Sequence, residues 1–148
     1  MATAKQELGA WGEQLVAKSC SCPKCKKQGT FKRLPANFKC ADLICDFCGF
    51  LAQVKSVSVK DVETLPKQVL GAAWGPQKER MDAAIFSPLF LVLRSPIGKA
   101  IYYLSTDFQN PELFVPRKPL SQQARRAGWQ GFSYDLSSIK AGALIRLL

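Results

Sequence analysis

The sequence contains no histidine. That removes imidazole general bases and every nucleophilic triad built on one, so any catalysis has to use carboxylates, lysine or a metal ion. Acidic residues are few: 11 Asp and Glu stand against 21 Lys and Arg, a net charge of +10. That surplus favours a polyanionic partner, nucleic acid above all, over a merely basic soluble protein. No run of 18 apolar residues exists, so neither a transmembrane helix nor a membrane partner is expected. The N-terminus lacks the apolar stretch of a secretory signal, which points to the cytoplasm. Internal repeats and low-complexity tracts are missing too.

What is present suits a single domain over residues 1–148: the length and 47% apolar content can build a core. Residues 2–18 read as an amphipathic helix, with Thr3 as cap and Leu8, Trp11, Leu15 and Val16 at helical spacing. Residues 20–37 read as an irregular, basic segment. Two short apolar runs, 41–44 and 50–54, read as strands joined by a tight turn. Residues 57–76 are broken up by Pro66, Gly71, Gly75 and Pro76. A short helix is expected over 77–86, strands over 89–93 and 100–104, and a loop over 110–119. A helix over 121–127 with Ser121 as cap and Gly128 at its end follows, then strands over 132–136 and 144–148. This order predicts an α/β or α+β fold, a central mixed sheet flanked by helices.

Six cysteines are present. Cys22-Pro-Lys-Cys25 and Cys45-Asp-Phe-Cys48 are two C-x-x-C pairs at zinc-ribbon spacing, each able to offer two thiolates to one tetrahedral ion. The competing reading, disulfides, is disfavoured in a cytosolic chain, and two copies argue against a redox motif. The expectation is a structural Zn²⁺ in a small knuckle element over 20–48. A closed four-thiolate shell leaves no position for substrate. Cys20 and Cys40 are then spare, although either could replace a knuckle member, Cys20 standing in C-x-C spacing with Cys22.

Asp42, Gln53 and Lys55 lie on the two strands of the expected hairpin. Side chains alternate along a strand, so Gln53 and Lys55 share a face, and antiparallel pairing brings Asp42 roughly opposite residues 51–53. The Asp42 carboxylate, the Gln53 amide oxygen and the Val54 carbonyl are hard-oxygen ligands of the kind Mg²⁺ prefers. Lys55 could position or help deprotonate a water. As a bare pattern this is weak; Gln53 and Lys55 could equally form the solvated face of an edge strand. Glu13, on the first helix, reads most simply as a surface carboxylate.

Two blocks of the chain resemble the catalytic domain of the Dpn-type methyl-directed restriction endonucleases, within the PD-(D/E)-x-K nuclease superfamily. The first comprises the two C-x-x-C pairs with Ala41-Asp42 before the second, then Gln53-Val-Lys-Ser56. The second comprises Arg117-Lys-Pro-Leu120, Ala124-Arg-Arg-Ala-Gly-Trp129 and Asp135-Leu-Ser137. The resemblance implies a restriction-endonuclease-like fold and a Mg²⁺-dependent endonuclease of restriction or defence type acting on double-stranded DNA. Asp42, Gln53 and Lys55 fall on its active-site positions, and Glu13 on a carboxylate position the superfamily often uses. Gln53 stands where the family has glutamate. The family's winged-helix reader of methylated DNA has no counterpart in these residues, so specificity for N6-methyladenine is not carried over with the motifs.

Arg117, Lys118, Arg125 and Arg126 are the candidate DNA-binding residues, suited to phosphate contact or guanine readout. Trp129 beside them reads first as a core residue. The expected assembly is a monomer or weak homodimer. Two other functions fit the same sequence: a non-catalytic zinc-ribbon DNA-binding protein, and a nuclease for branched DNA.

Overall fold

The computed structural model describes residues 3–36, 38 and 41–148. In chain order the elements are helix α1 (Ala4–Ser19), strands β1 (Phe31–Arg33), β2 (Leu43–Cys45), β3 (Leu51–Ser58) and β4 (Gln68–Ala73), and helix α2 (Trp74–Asp82). Then come β5 (Leu89–Arg94), β6 (Lys99–Leu104), β7 (Phe114–Pro116), β8 (Gly131–Asp135) and β9 (Ile145–Arg146). Short 3₁₀ turns at Thr106–Phe108, Pro111–Leu113 and Leu136–Ser138 complete the set. The fold is α+β, and contacts divide it into two compact units.

The first unit is Met1–Thr64, Ser87–Thr106 and Gly142–Leu148. Its sheet has the order β1-β2-β3-β5-β6-β9, and it is mixed because β3 and β5 run parallel while the other pairs are antiparallel. The run Leu-Phe-Leu-Val-Leu of β5 is buried throughout, as a central strand covered on both faces must be. Helix α1 packs against β1, β3 and β5. Thr3 caps it in a full capping box: its hydroxyl accepts from the Gln6 amide, and the Gln6 side chain accepts from the Thr3 amide. Val16 joins Phe31, Leu43, Ala52, Val54, Phe90, Val92 and Ile101 in the core, with Trp11 and Leu15 packed against it.

The helix approaches β3 at Gly12, where a Cβ would fall 1.8 Å from Ser56 Oγ and 3.0 Å from Ser56 Cβ. That hydroxyl is buried without a hydrogen-bond partner among the described residues. Gly12→Ala should therefore destabilise by about 1–3 kcal/mol through overpacking, despite a helix-propensity gain of about 1 kcal/mol. In a Ser56→Ala background most of that cost should vanish, because the clashing oxygen is gone. Urea unfolding of both singles and the double measures it; equal cost in both backgrounds would rule out this contact as the cause.

The second unit is Leu65–Phe86 and Asp107–Ala141. It holds a separate antiparallel sheet, β4-β8-β7, with Phe114, Phe132 and Tyr134 packed ring to ring.

Several expectations need correcting. Residues 121–127 form turns, not a helix. Nearly all of this segment is exposed, so it has no apolar face whose burial could support two helical turns. Its backbone bonds instead close a loop: Leu120 N–H donates to Trp129 O at 2.8 Å and Gly128 N–H to Leu120 O at 3.0 Å. The helix expected over 77–86 starts earlier, at Trp74, and ends at Asp82. Pro76 lies in its first turn, where the missing N–H costs nothing. The segment over 20–37 contains β1, 57–76 contains the end of β3 and all of β4, and 110–119 contains β7. The last strand shrinks to Ile145–Arg146, and the strand over 132–136 appears as β8 in the second sheet rather than the central one.

Candidate active site and metal centre

The β2–β3 pairing sets Leu43 against Ala52 and Ile44 against Leu51. One step further along this register, Asp42 lies across from Gln53. There its main chain joins both neighbours: the N–H donates to Ala52 O and the C=O accepts from Leu34 N–H, each at 2.9 Å. Its side chain continues the ladder, with Oδ2 accepting from the Val54 N–H at 2.8 Å. This bond fixes the carboxylate against β3. The Val54 carbonyl leaves the strand on the same edge as its N–H, and so faces the Asp42 side. Gln53, by contrast, turns its N–H the other way, to Pro88 O at 2.8 Å.

Alternation along β3 buries Ala52 and Val54 and leaves Gln53 and Lys55 half-buried on the opposite face. Burial holds the Lys55 ammonium below its ordinary pKa; the Asp42 charge opposes this and the Lys5 charge adds to it. Glu13, on α1, meets the same region. Its Oε1 accepts from Arg33 Nε at 3.1 Å. Burial raises the Glu13 pKa, the Arg33 hydrogen bond opposes, and the Asp42 charge raises it further. Asp42 is thus within electrostatic reach of both Glu13 and Lys55. Two carboxylates sharing a half-buried region repel, and a cation between them relieves that repulsion. With the Gln53 amide oxygen and the Val54 carbonyl, the donors are all hard oxygens, a set that fits Mg²⁺.

In the sequence Arg33 is only one cation of a basic stretch. Its strand, β1, has three residues in a segment with no strand-like alternation, so the sequence gives no signal for its partnership with Glu13.

At the other end of the hairpin, Cys22, Cys25, Cys45 and Cys48 place their sulfurs within 4.8 Å of one another. Cys22 and Cys48 are 3.6 Å apart, Cys25 and Cys45 3.7 Å. A tetrahedron with Zn–S bonds of about 2.3 Å has edges of about 3.8 Å, so the cluster could hold zinc. All four are free thiols. The two knuckles share one backbone turn: Lys26 N–H donates to Cys22 O at 2.9 Å and Gly49 N–H to Cys45 O at 2.8 Å. The donating residue is left-handed in each, φ +66° at Lys26 and +80° at Gly49. Burial opposes the Cys45 thiolate, yet hydrogen bonds from the Thr30 hydroxyl and the Cys48 and Phe47 amides bring its pKa down to about 6. Burial pushes Cys22 up to about 11. Cys20 lies in the core, apart from the four-sulfur cluster, and burial alone takes it to about 11. Cys40 lies outside the described residues.

The basic block belongs to the second unit. Arg117, Lys118, Arg125 and Arg126 are all exposed, the last two on the loop closed between Leu120 and Trp129 and the first two just before it. Arg117 sits at its base, its N–H donating to Gly131 O and its C=O accepting from Gln130 Nε2. The Arg126 guanidinium lies 4.3 Å over the half-buried Trp129 ring. No helix among the described residues is long and apolar enough to cross a membrane.

Over residues 2–148 the chain matches the family model DpnI, described as the Dam-replacing family, and it belongs to that family. The family is one of restriction-type endonucleases, so DNA is the partner.

Proposed function

We propose, with membership of the Dam-replacing family as the premise, that this protein is a Mg²⁺-dependent endonuclease that hydrolyses phosphodiester bonds of double-stranded DNA at adenine-methylated sites. The observation that carries the site assignment is the Asp42–Val54 hydrogen bond. It holds a carboxylate at the edge of β3, within electrostatic reach of Glu13 and Lys55. Asp42, Glu13, Gln53 Oε1 and the Val54 carbonyl would hold the ion. When bound, it supplies an activated water and neutralises charge developing on the phosphate.

The chain's own groups do the rest. The Val54 N–H orients Asp42, and the Arg33 guanidinium orients Glu13. Lys55 Nζ donates to the attacking water or the phosphate. Because burial weakens its hold on the proton, Nζ cedes one more readily than a surface lysine does. The segment carrying Arg117, Lys118, Arg125 and Arg126 contacts phosphates, which fixes the duplex without reading its sequence.

The test is digestion of plasmid with Mg²⁺, with and without adenine methylation, against a chelated control. Cutting that requires both Mg²⁺ and the methyl group is the expected result. One observation favours a second reading: a neutral amide at Gln53 binds Mg²⁺ more weakly than a carboxylate does, as would suit a non-catalytic DNA-binding relative. Salt-sensitive binding with no cutting of either plasmid would establish that reading instead.

A further inference from the structure

The zinc knuckle ends in a tip that the proposed cleavage chemistry does not use. Phe47, between Cys45 and Cys48, is 65% exposed. Lys27, from the other knuckle, places Nζ 4.4 Å from its ring centroid, and most of the residue still faces solvent. Lys24, Lys26 and Lys27 are exposed and have no ion-pair partner among the described residues, whereas Lys32 leans on Asp46 at 3.9 Å. Lys26 adds a second signal. It takes the left-handed turn position that Gly49 takes in the matching knuckle, which a side chain disfavours and glycine tolerates. The chain thus keeps a cation where its backbone favours glycine.

We propose that this tip is a second DNA-docking surface, in which Lys24, Lys26 and Lys27 contact backbone phosphates and the exposed Phe47 ring packs against a sugar or base between them. The proposal rests on the endonuclease reading above and deepens it by adding a contact outside the Arg117–Arg126 segment. Its reach is bounded. From 42 to 47 is five residue steps, at most about 17 Å of extended chain. At about 3.4 Å per base pair, the contact falls within about five base pairs of the scissile phosphate. There is a plainer role for the lysines: four thiolates around a divalent ion carry net negative charge, which nearby cations would balance.

The experiment measures duplex binding by fluorescence polarisation over a salt series without added Mg²⁺, zinc content and the position of footprint protection, for the full chain. Phe47→Ala should weaken binding about tenfold, the scale of one aromatic contact to a base. The triple variant Lys24→Ala/Lys26→Ala/Lys27→Ala should lower the log–log salt slope by about 2 to 3, at about 0.9 per phosphate contact. Lys26→Gly is the control for folding: it relieves the turn and removes the charge, so zinc retention should hold or improve while DNA affinity falls. Protection within five base pairs of the cut should fade in the Phe47 and triple variants. Lysine variants that lose zinc but keep wild-type affinity and slope would assign these residues to charge balance and overturn the proposal. Variants that match wild type in every readout, while wild type binds and cuts, would overturn it and leave the endonuclease reading standing. Wild type that does not bind duplex DNA at all would sink both.

Discussion

Asp42→Ala should abolish cleavage while DNA binding and folding persist. Asp42 is the carboxylate that the Val54 N–H holds against β3, and in the proposed site it would be the hairpin's acidic ligand for Mg²⁺. Losing an ion that contributes several kcal/mol to stabilising the transition state slows the reaction by about a thousandfold or more. The basic surfaces are untouched, so duplex affinity should change by no more than about twofold. Gln53→Glu is the informative companion. It adds a carboxylate where the family pattern has glutamate. If Gln53 is a ligand, half-maximal cleavage should move to lower Mg²⁺ concentration, with the plateau rate kept or raised. A Mg²⁺ titration of cleavage rate for wild type and both variants decides the matter. Full activity in Asp42→Ala removes this hairpin as the active site; an unmoved Mg²⁺ profile in Gln53→Glu makes Gln53 a strand-surface residue.

The hairpin was legible because its signals are local. Apolar runs flank a knuckle, and period-two alternation puts Gln53 and Lys55 on one face, as β3 does. The four cysteines could be grouped by spacing, and their sulfurs do cluster. Residues 89–93 and 100–104 stood out as strands because they are continuously apolar, and β5 and β6 contain them. The second sheet was not legible. Its strand β4 is Gln-Val-Leu-Gly-Ala-Ala, short and small, and it is ordered by long-range pairing to β8. The expected helix at 121–127 had a cap and a terminal glycine but lacked an apolar stripe, and signals at the ends of a segment do not make a helix when its middle has nothing to bury. The Glu13–Arg33 pair was hidden for a similar reason. The partners are 20 positions apart, and only packing of α1 against β1 brings them together.

Removing zinc should unfold the first unit, and activity should go with it. Apparent zinc binding in four-ligand sites reaches about 10–16 kcal/mol, comparable to or larger than the roughly 5–15 kcal/mol that stabilises a whole domain. The ion would lie in the core, not on an appendage: Cys22 and Cys45 are fully buried beside Phe31, Leu43, Ala52 and Val54. Without metal, the hydrogen bonds that lower the Cys45 pKa favour a thiolate crowded among three other sulfurs within 4.8 Å. The damage travels a short way, because Cys45 ends the strand that Asp42 precedes. If the knuckle loosens, the β2–β3 register slackens and the Asp42–Val54 bond goes with it. Chelation, or Cys45→Ser, should therefore remove the metal, broaden or abolish the thermal transition and stop cleavage together. Asp42→Ala should stop cleavage with zinc content unchanged and a thermal transition that stays sharp, lowered only by the lost bond to the Val54 N–H, which separates loss of chemistry from loss of fold. The measurements are metal analysis, expected at one zinc per chain, and thermal unfolding followed by circular dichroism. Freshly purified, unchelated protein with a sharp native transition and no bound metal would refute the structural role.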